Sequence, residues 1–219
     1  MNTTHRTGDL LAVAAAHALP VVRNLPDDRL GARTPCAEYD VRALVNHLFH
    51  VVVQFQELAA KRNADFGGDT PDYVAEGDDW RERFAAETEK VVAAWSEPGA
   101  DEGTTGAMNM PARTVGSMVL LDLTVHAWDL ARATGQAYGT DEAPASGAPD
   151  AGARDVGVPD VGVPDVGVPD VVAALRAAVD ELAPTARAMG VLGEPVPVRE
   201  DASDFDRLLA ATGRDPHWT

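Results

Sequence analysis

A single cysteine, two lysines and few aromatic residues set the first limits on this chain of 219 residues. With Cys36 alone, no intramolecular disulfide can form and no multi-cysteine zinc site can be built. Cationic side chains are scarce: 18 lysines and arginines face 35 aspartates and glutamates, for a net charge of -17. Such a surface repels phosphate backbones and anionic lipid, so nucleic acid and membrane are excluded as expected partners. Beyond that, acidity reads as solubility. No apolar run is long enough to span a bilayer, since the longest, Leu10 to Val22, contains His17 and Pro20. The opening Met-Asn-Thr-Thr-His-Arg lacks the basic-then-apolar order of a secretion signal. These absences predict a cytoplasmic, single-domain protein spanning 1–219, monomeric or homodimeric. The 45% hydrophobic content is enough for a buried core.

What is present is helical periodicity. Apolar residues predict a first helix over Asp9 to Leu25, ended or interrupted near Pro20. Asp40 is a natural N-cap for a second, whose stripe Val41, Leu44, Val45, Leu48, Val52, Phe55 and Leu58 runs to about Arg62. Pro71, after Thr70, suits the first turn of a third, carrying Trp80, Phe84, Val91 and Trp95. The fourth, Arg113 to Thr134, is apolar nearly all round and stops at Gly135. Val171 to Met189 resumes a helix, and a short one follows over Asp204 to Ala211. No stretch reads as a strand. The expected fold class is all-α: a four-helix bundle with an additional C-terminal helix, its site built in the core from facing helices.

Residues 136–169 interrupt this pattern. Asp155-Val-Gly-Val-Pro159 recurs from Asp160 and from Asp165. With Gly and Pro in every unit, this low-complexity insertion reads as a disordered loop rather than a helix.

The fourth helix carries one polar stripe in its apolar wall: Asp122, His126 and Asp129. Spacing of i, i+4 stacks Asp122 and His126 on one face. Burying ionisable groups is costly unless they are paired or metal-bound. Two readings fit: an Asp–His hydrogen bond that orients an imidazole, or two ligands of a divalent metal. His47, on the core side of the second helix, would supply a third ligand and leave a fourth position open, the layout of a catalytic zinc site. His50 is a competing ligand or a substrate contact. Asp129 is a candidate to hold the free ring N–H of His126, or to pair with Arg132 or Arg113. Cys36, in a loop after Pro35, reads as an inert thiol.

Three segments resemble a known family. Thr34-Pro-Cys-Ala-Glu-Tyr-Asp40-Val-Arg-Ala-Leu-Val-Asn-His47-Leu, Asp122-Leu-Thr-Val-His126-Ala-Trp-Asp129-Leu-Ala-Arg-Ala-Thr-Gly135 and Asp206-Arg-Leu-Leu-Ala-Ala-Thr-Gly-Arg-Asp-Pro216 are similar to signatures of the actinobacterial metal-binding family related to mycothiol-dependent maleylpyruvate isomerase. That family lies in the DinB-like superfamily. The resemblance implies an up-down-down-up bundle with His47, Asp122 and His126 as metal ligands, although many relatives carry Glu where Asp122 stands. The near absence of lysine beside abundant Arg, Ala and Asp also resembles chains from GC-rich genomes, such as those of actinobacteria, whose main small thiol is mycothiol.

The implied function is a metal-dependent isomerase or S-transferase that activates mycothiol for attack on an electrophilic small molecule. Zinc is the first expectation, with nickel or iron also suited to imidazole and carboxylate ligands. His50 and Arg113 are the expected substrate contacts. No catalytic acid or base is identifiable. Two alternatives stand beside it: a non-catalytic protein that sequesters a metal or small molecule, and a hydrolase using metal-bound water.

Overall fold

The computed structural model of the chain describes residues 5–138 and 166–219. Four helices form the bundle: α1 (Thr7–Arg23), α2 (Val41–Ala59), α3 (Trp80–Ser96) and α4 (Ala112–Thr134). Both α1 and α2 pack against α3 and α4, so the helices stand around the core in the order α1, α3, α2, α4. The fold is the all-α bundle that the pattern predicts, and it is consistent with the DinB-like bundle that the resemblance implies.

Each helix follows from its residues. Helix α1 buries Leu11, Ala14, Ala18, Val21 and Val22 and runs past Pro20 instead of stopping there. Pro20 sits on the exposed side, so its missing N–H interrupts no buried contact. Burial of Val21 and Val22 beyond it offsets a cost of about 3 kcal/mol for an interior proline. Helix α2 begins as expected, with the Asp40 carboxylate accepting the Ala43 N–H at 2.8 Å.

Helix α3 starts later than the Pro71 signal predicts. A short 3-10 turn, Tyr73–Glu76, precedes it. Asp72 is held there by Arg42 Nη2 at 2.7 Å and Asn46 Nδ2 at 2.8 Å, both donors on α2. The Val74 N–H is taken by Asn46 Oδ1 at 3.1 Å, so this segment is fastened across α2 rather than continued as a helix. Between α3 and α4 lies a small ribbon that the sequence did not announce, β1 (Thr104–Thr105) with β2 (Met110–Pro111). Its Thr105 hydroxyl donates to the Leu58 carbonyl at 2.6 Å, closing the end of α2.

Two glycines let α1 lie close to its neighbours. A Cβ on Gly8 would sit 2.7 Å from the Cα of Ser96 on α3. One on Gly116 would sit 2.7 Å from Thr7 Cγ2 and 3.1 Å from the Trp95 ring.

The C-terminal part adds two helices over the two stretches that the periodicity predicts, α5 (Val168–Ala188) and α6 (Asp204–Ala211). They pack together, and α5 also lies against α1 and α4. Helix α5 begins inside the last repeat unit, contrary to the expectation that the repeat excludes helix. Pro169 falls in its first turn, where the missing N–H needs no partner, and Asp170 accepts the Gly167 N–H at 2.9 Å. Gln136 to Tyr138, in no regular element, are nonetheless tied to the bundle. Gln136 Nε2 donates to the Val21 carbonyl at 3.2 Å, and the buried Tyr138 hydroxyl donates to the Thr124 carbonyl at 3.0 Å. The rest of the repeat insertion, 139–165, lies outside the described residues. Among the described residues, no helix is long and apolar enough to cross a membrane.

Candidate metal centre

His47 on α2 and Asp122 and His126 on α4 converge between the two helices, each offering one donor atom within 4.8 Å of the others. His126 is buried, while His47 and Asp122 are half-buried, leaving an approach from solvent on their side. The two imidazoles meet edge to face with centroids 5.1 Å apart. Burial pushes the His47 pKa down, with Asp122 opposing and His126 reinforcing the shift. His47 therefore stays neutral at pH 7 with a lone pair available.

The orientation of His126 is set from behind. Its Nδ1 lies 2.9 Å from Oδ2 of Asp129, which is fully buried. A carboxylate can only accept, so Nδ1 carries the proton and, in the neutral ring, Nε2 keeps its lone pair. That Nε2 faces Asp122 Oδ1 at 3.6 Å, too far for a hydrogen bond and with acceptors on both sides. Two acceptors pointed at each other beside a third are poorly placed alone and well placed around a cation. The donor chemistry, two imidazoles and a carboxylate, fits a divalent first-row metal.

A second group shares His126: Cys36, His126 and Asp129, likewise within 4.8 Å of one another. Here a cation is already present. Arg214 Nη2 lies 3.3 Å from Asp129 Oδ2 and 3.5 Å from His126 Nδ1. A metal at this position would meet the guanidinium charge, whereas among the described residues Asp122 pairs with no side chain but His126. The two groups are therefore unequal, and the one built on His47 is the better cation site.

The remaining expected residues fall as follows. Of the two readings offered for Asp129, the structure places it against the His126 ring N–H, and its cation is Arg214, not Arg132 or Arg113. His50 is engaged elsewhere: Nδ1 lies 3.1 Å from the Tyr73 hydroxyl and Nε2 lies 3.1 Å from the Asp65 carbonyl. Arg113 stands nine residues before Asp122, about 13.5 Å along the helix at 1.5 Å per residue. It reaches toward the His5 carbonyl and Asp101, at the other end of α4, and the structure does not bring it to the cluster.

Three residues were not foreseen at the site. Tyr39 stacks on His47 with centroids 5.2 Å apart and an interplanar angle of 20°. Cys36 comes up beside His126 and Asp129, and burial raises its thiol pKa. Both lie in the turn that leads into the Asp40 cap, a position the sequence does show. Arg214 follows α6, and no spacing rule connects it to Asp129, 85 residues earlier.

The family described as mycothiol maleylpyruvate isomerase N-terminal domain matches residues 11–131, more than half of the chain. The chain belongs to that family. The match to the mycothiol maleylpyruvate isomerase N-terminal domain takes in His47, Asp122, His126 and Asp129, and ends before α5, α6 and Arg214. No curated protein and no solved structure matches the chain.

Proposed function

We propose that the protein is a divalent-metal-dependent enzyme of the mycothiol-dependent isomerase or S-transferase type, with His47, Asp122 and His126 as metal ligands. The observation that carries this reading is the His126 imidazole, fixed at Nδ1 by Asp129 while Nε2 is turned toward Asp122 with His47 alongside. Zinc is the metal we assign. When bound there, it would lower the pKa of a small thiol in the open position, so that thiolate is present near neutral pH.

The chain's own residues account for the selectivity of such a site. One carboxylate and two imidazoles carry a single negative charge, which leaves a divalent ion short of neutrality and favours an anionic fourth partner. Asp129 orients His126, and its own charge is answered by Arg214. The Tyr39 ring covers one face of His47, and burial raises its phenol pKa. The cosubstrates are a low-molecular-weight thiol and an electrophilic small molecule.

The test is turnover of purified, zinc-loaded protein with mycothiol and with maleylpyruvate as the first electrophile. Activity should require both zinc and the thiol, and should vanish in His126→Ala. Turnover that survives His126→Ala, or that proceeds without thiol, would sink the assignment.

A further inference from the structure

We propose that Arg214 is a positioning residue for His126, so that metal affinity is coupled to docking of the C-terminal helices. The proposal rests on the metal reading above. Arg214 lies beyond residues 11–131, which match the N-terminal domain of the family, yet its guanidinium reaches the middle of α4.

Asp129 Oδ2 receives two donors, Nδ1 of His126 at 2.9 Å and Nη2 of Arg214 at 3.3 Å. Asp129 is wholly buried, and Arg214 is nearly so. A buried carboxylate that loses its cation is left uncompensated in the core and free to turn away, which loosens its hold on the imidazole. The bond from Asp129 to His126 thus depends on Arg214.

Arg214 is itself held by the C-terminal segment. Its backbone N–H donates to the Leu209 carbonyl at 3.0 Å, and Nη1 donates to the Thr212 carbonyl at 3.0 Å. Leu208 and Leu209 of α6 are fully buried, and Arg187 of α5 donates to the Ala211 carbonyl at 2.6 Å. When α6 is docked, the guanidinium is delivered to Asp129; when it is not, Asp129 has no cation. Linkage is reciprocal, so a metal that needs an oriented His126 must also favour the docked C-terminal segment.

The experiment measures zinc affinity by competition with a chromophoric chelator, and amide exchange across Asp204–Arg214 with and without zinc. Arg214→Met should weaken zinc binding by about 10- to 100-fold, the usual effect of losing an outer-shell partner. Arg214→Lys keeps a charge but loses the fork, and should fall between the two. In the wild-type protein zinc should slow exchange over Asp204–Arg214. A folded Arg214→Met protein with zinc affinity within about two-fold of wild type would overturn the coupling. Wild-type exchange that zinc leaves unchanged there would overturn it as well, whether or not the variants fold. Failure of the wild-type protein to bind zinc at all is a different result, and removes the metal reading together with this inference.

Discussion

The rings of His47 and His126 meet edge to face, 5.1 Å between centroids, although they come from different helices. Helix α2 brings one and α4 the other, and Asp129 turns the second so that its Nε2 lies on the Asp122 side. On the proposed assignment, Asp129→Asn should weaken zinc binding by about 10- to 100-fold, and His126→Ala should reduce it further. Chelator competition on the purified variants reads both. Equal affinity in Asp129→Asn and wild type would mean that the imidazole needs no support from behind.

Cys36 should be slow to react despite its place beside the site. Burial, the largest influence, holds its thiol above the ordinary range, and only part of that is offset by Arg214. In metal-free protein at pH 7.5, alkylation by iodoacetamide should run about tenfold slower than in the urea-unfolded chain. The native rate should climb with alkaline pH. Fast native alkylation at neutral pH would show a thiolate there.

Gly8→Ala should destabilise the bundle by about 1–3 kcal/mol, because the added methyl would press on the Ser96 backbone where α1 meets α3. Thermal unfolding of the variant checks this. An unchanged midpoint would show that the two helices can part at no cost.

Tyr138 gives the pH dependence. Burial raises its phenol pKa far above the ordinary value, and the other two tyrosines, Tyr39 and Tyr73, are also raised by burial. A group whose folded pKa is raised contributes stability that is whole below its unfolded pKa and is lost as pH rises toward the folded value. The tyrosines' contribution to stability should therefore be flat below about pH 10 and fall above it. Tyr138→Phe should lose about 1 kcal/mol at neutral pH with the hydrogen bond to Thr124, and show a shallower alkaline decline. Urea unfolding at several pH values would test the slope.

The bundle was readable in the sequence because its helices announce themselves by period and cap. Asp40 and Gly135 mark their boundaries by local chemistry, and both hold. The approach of Asp122 to His126 was readable for a similar reason: the two share a face by spacing alone. Pro20 and Pro71 misled because their effect depends on what lies beside them, an exposed helix side in one case and the Asn46–Asp72 contact in the other. Arg214 was out of reach altogether. Its partnership with Asp129 is made by tertiary docking, which leaves no period in the sequence.

The start of α5 has one more consequence. Its first turn is cut from the repeat itself: Gly167 supplies the cap, Pro169 the early turn and Asp170 the returning carboxylate. Gly162-Val-Pro-Asp165 and Gly157-Val-Pro-Asp160 spell the same instructions. Loss of one five-residue unit by replication slippage would therefore leave the same Gly-Val-Pro-Asp sequence at the same distance from Val171. The gene can change the length of this insertion in steps of five without touching the helix that follows.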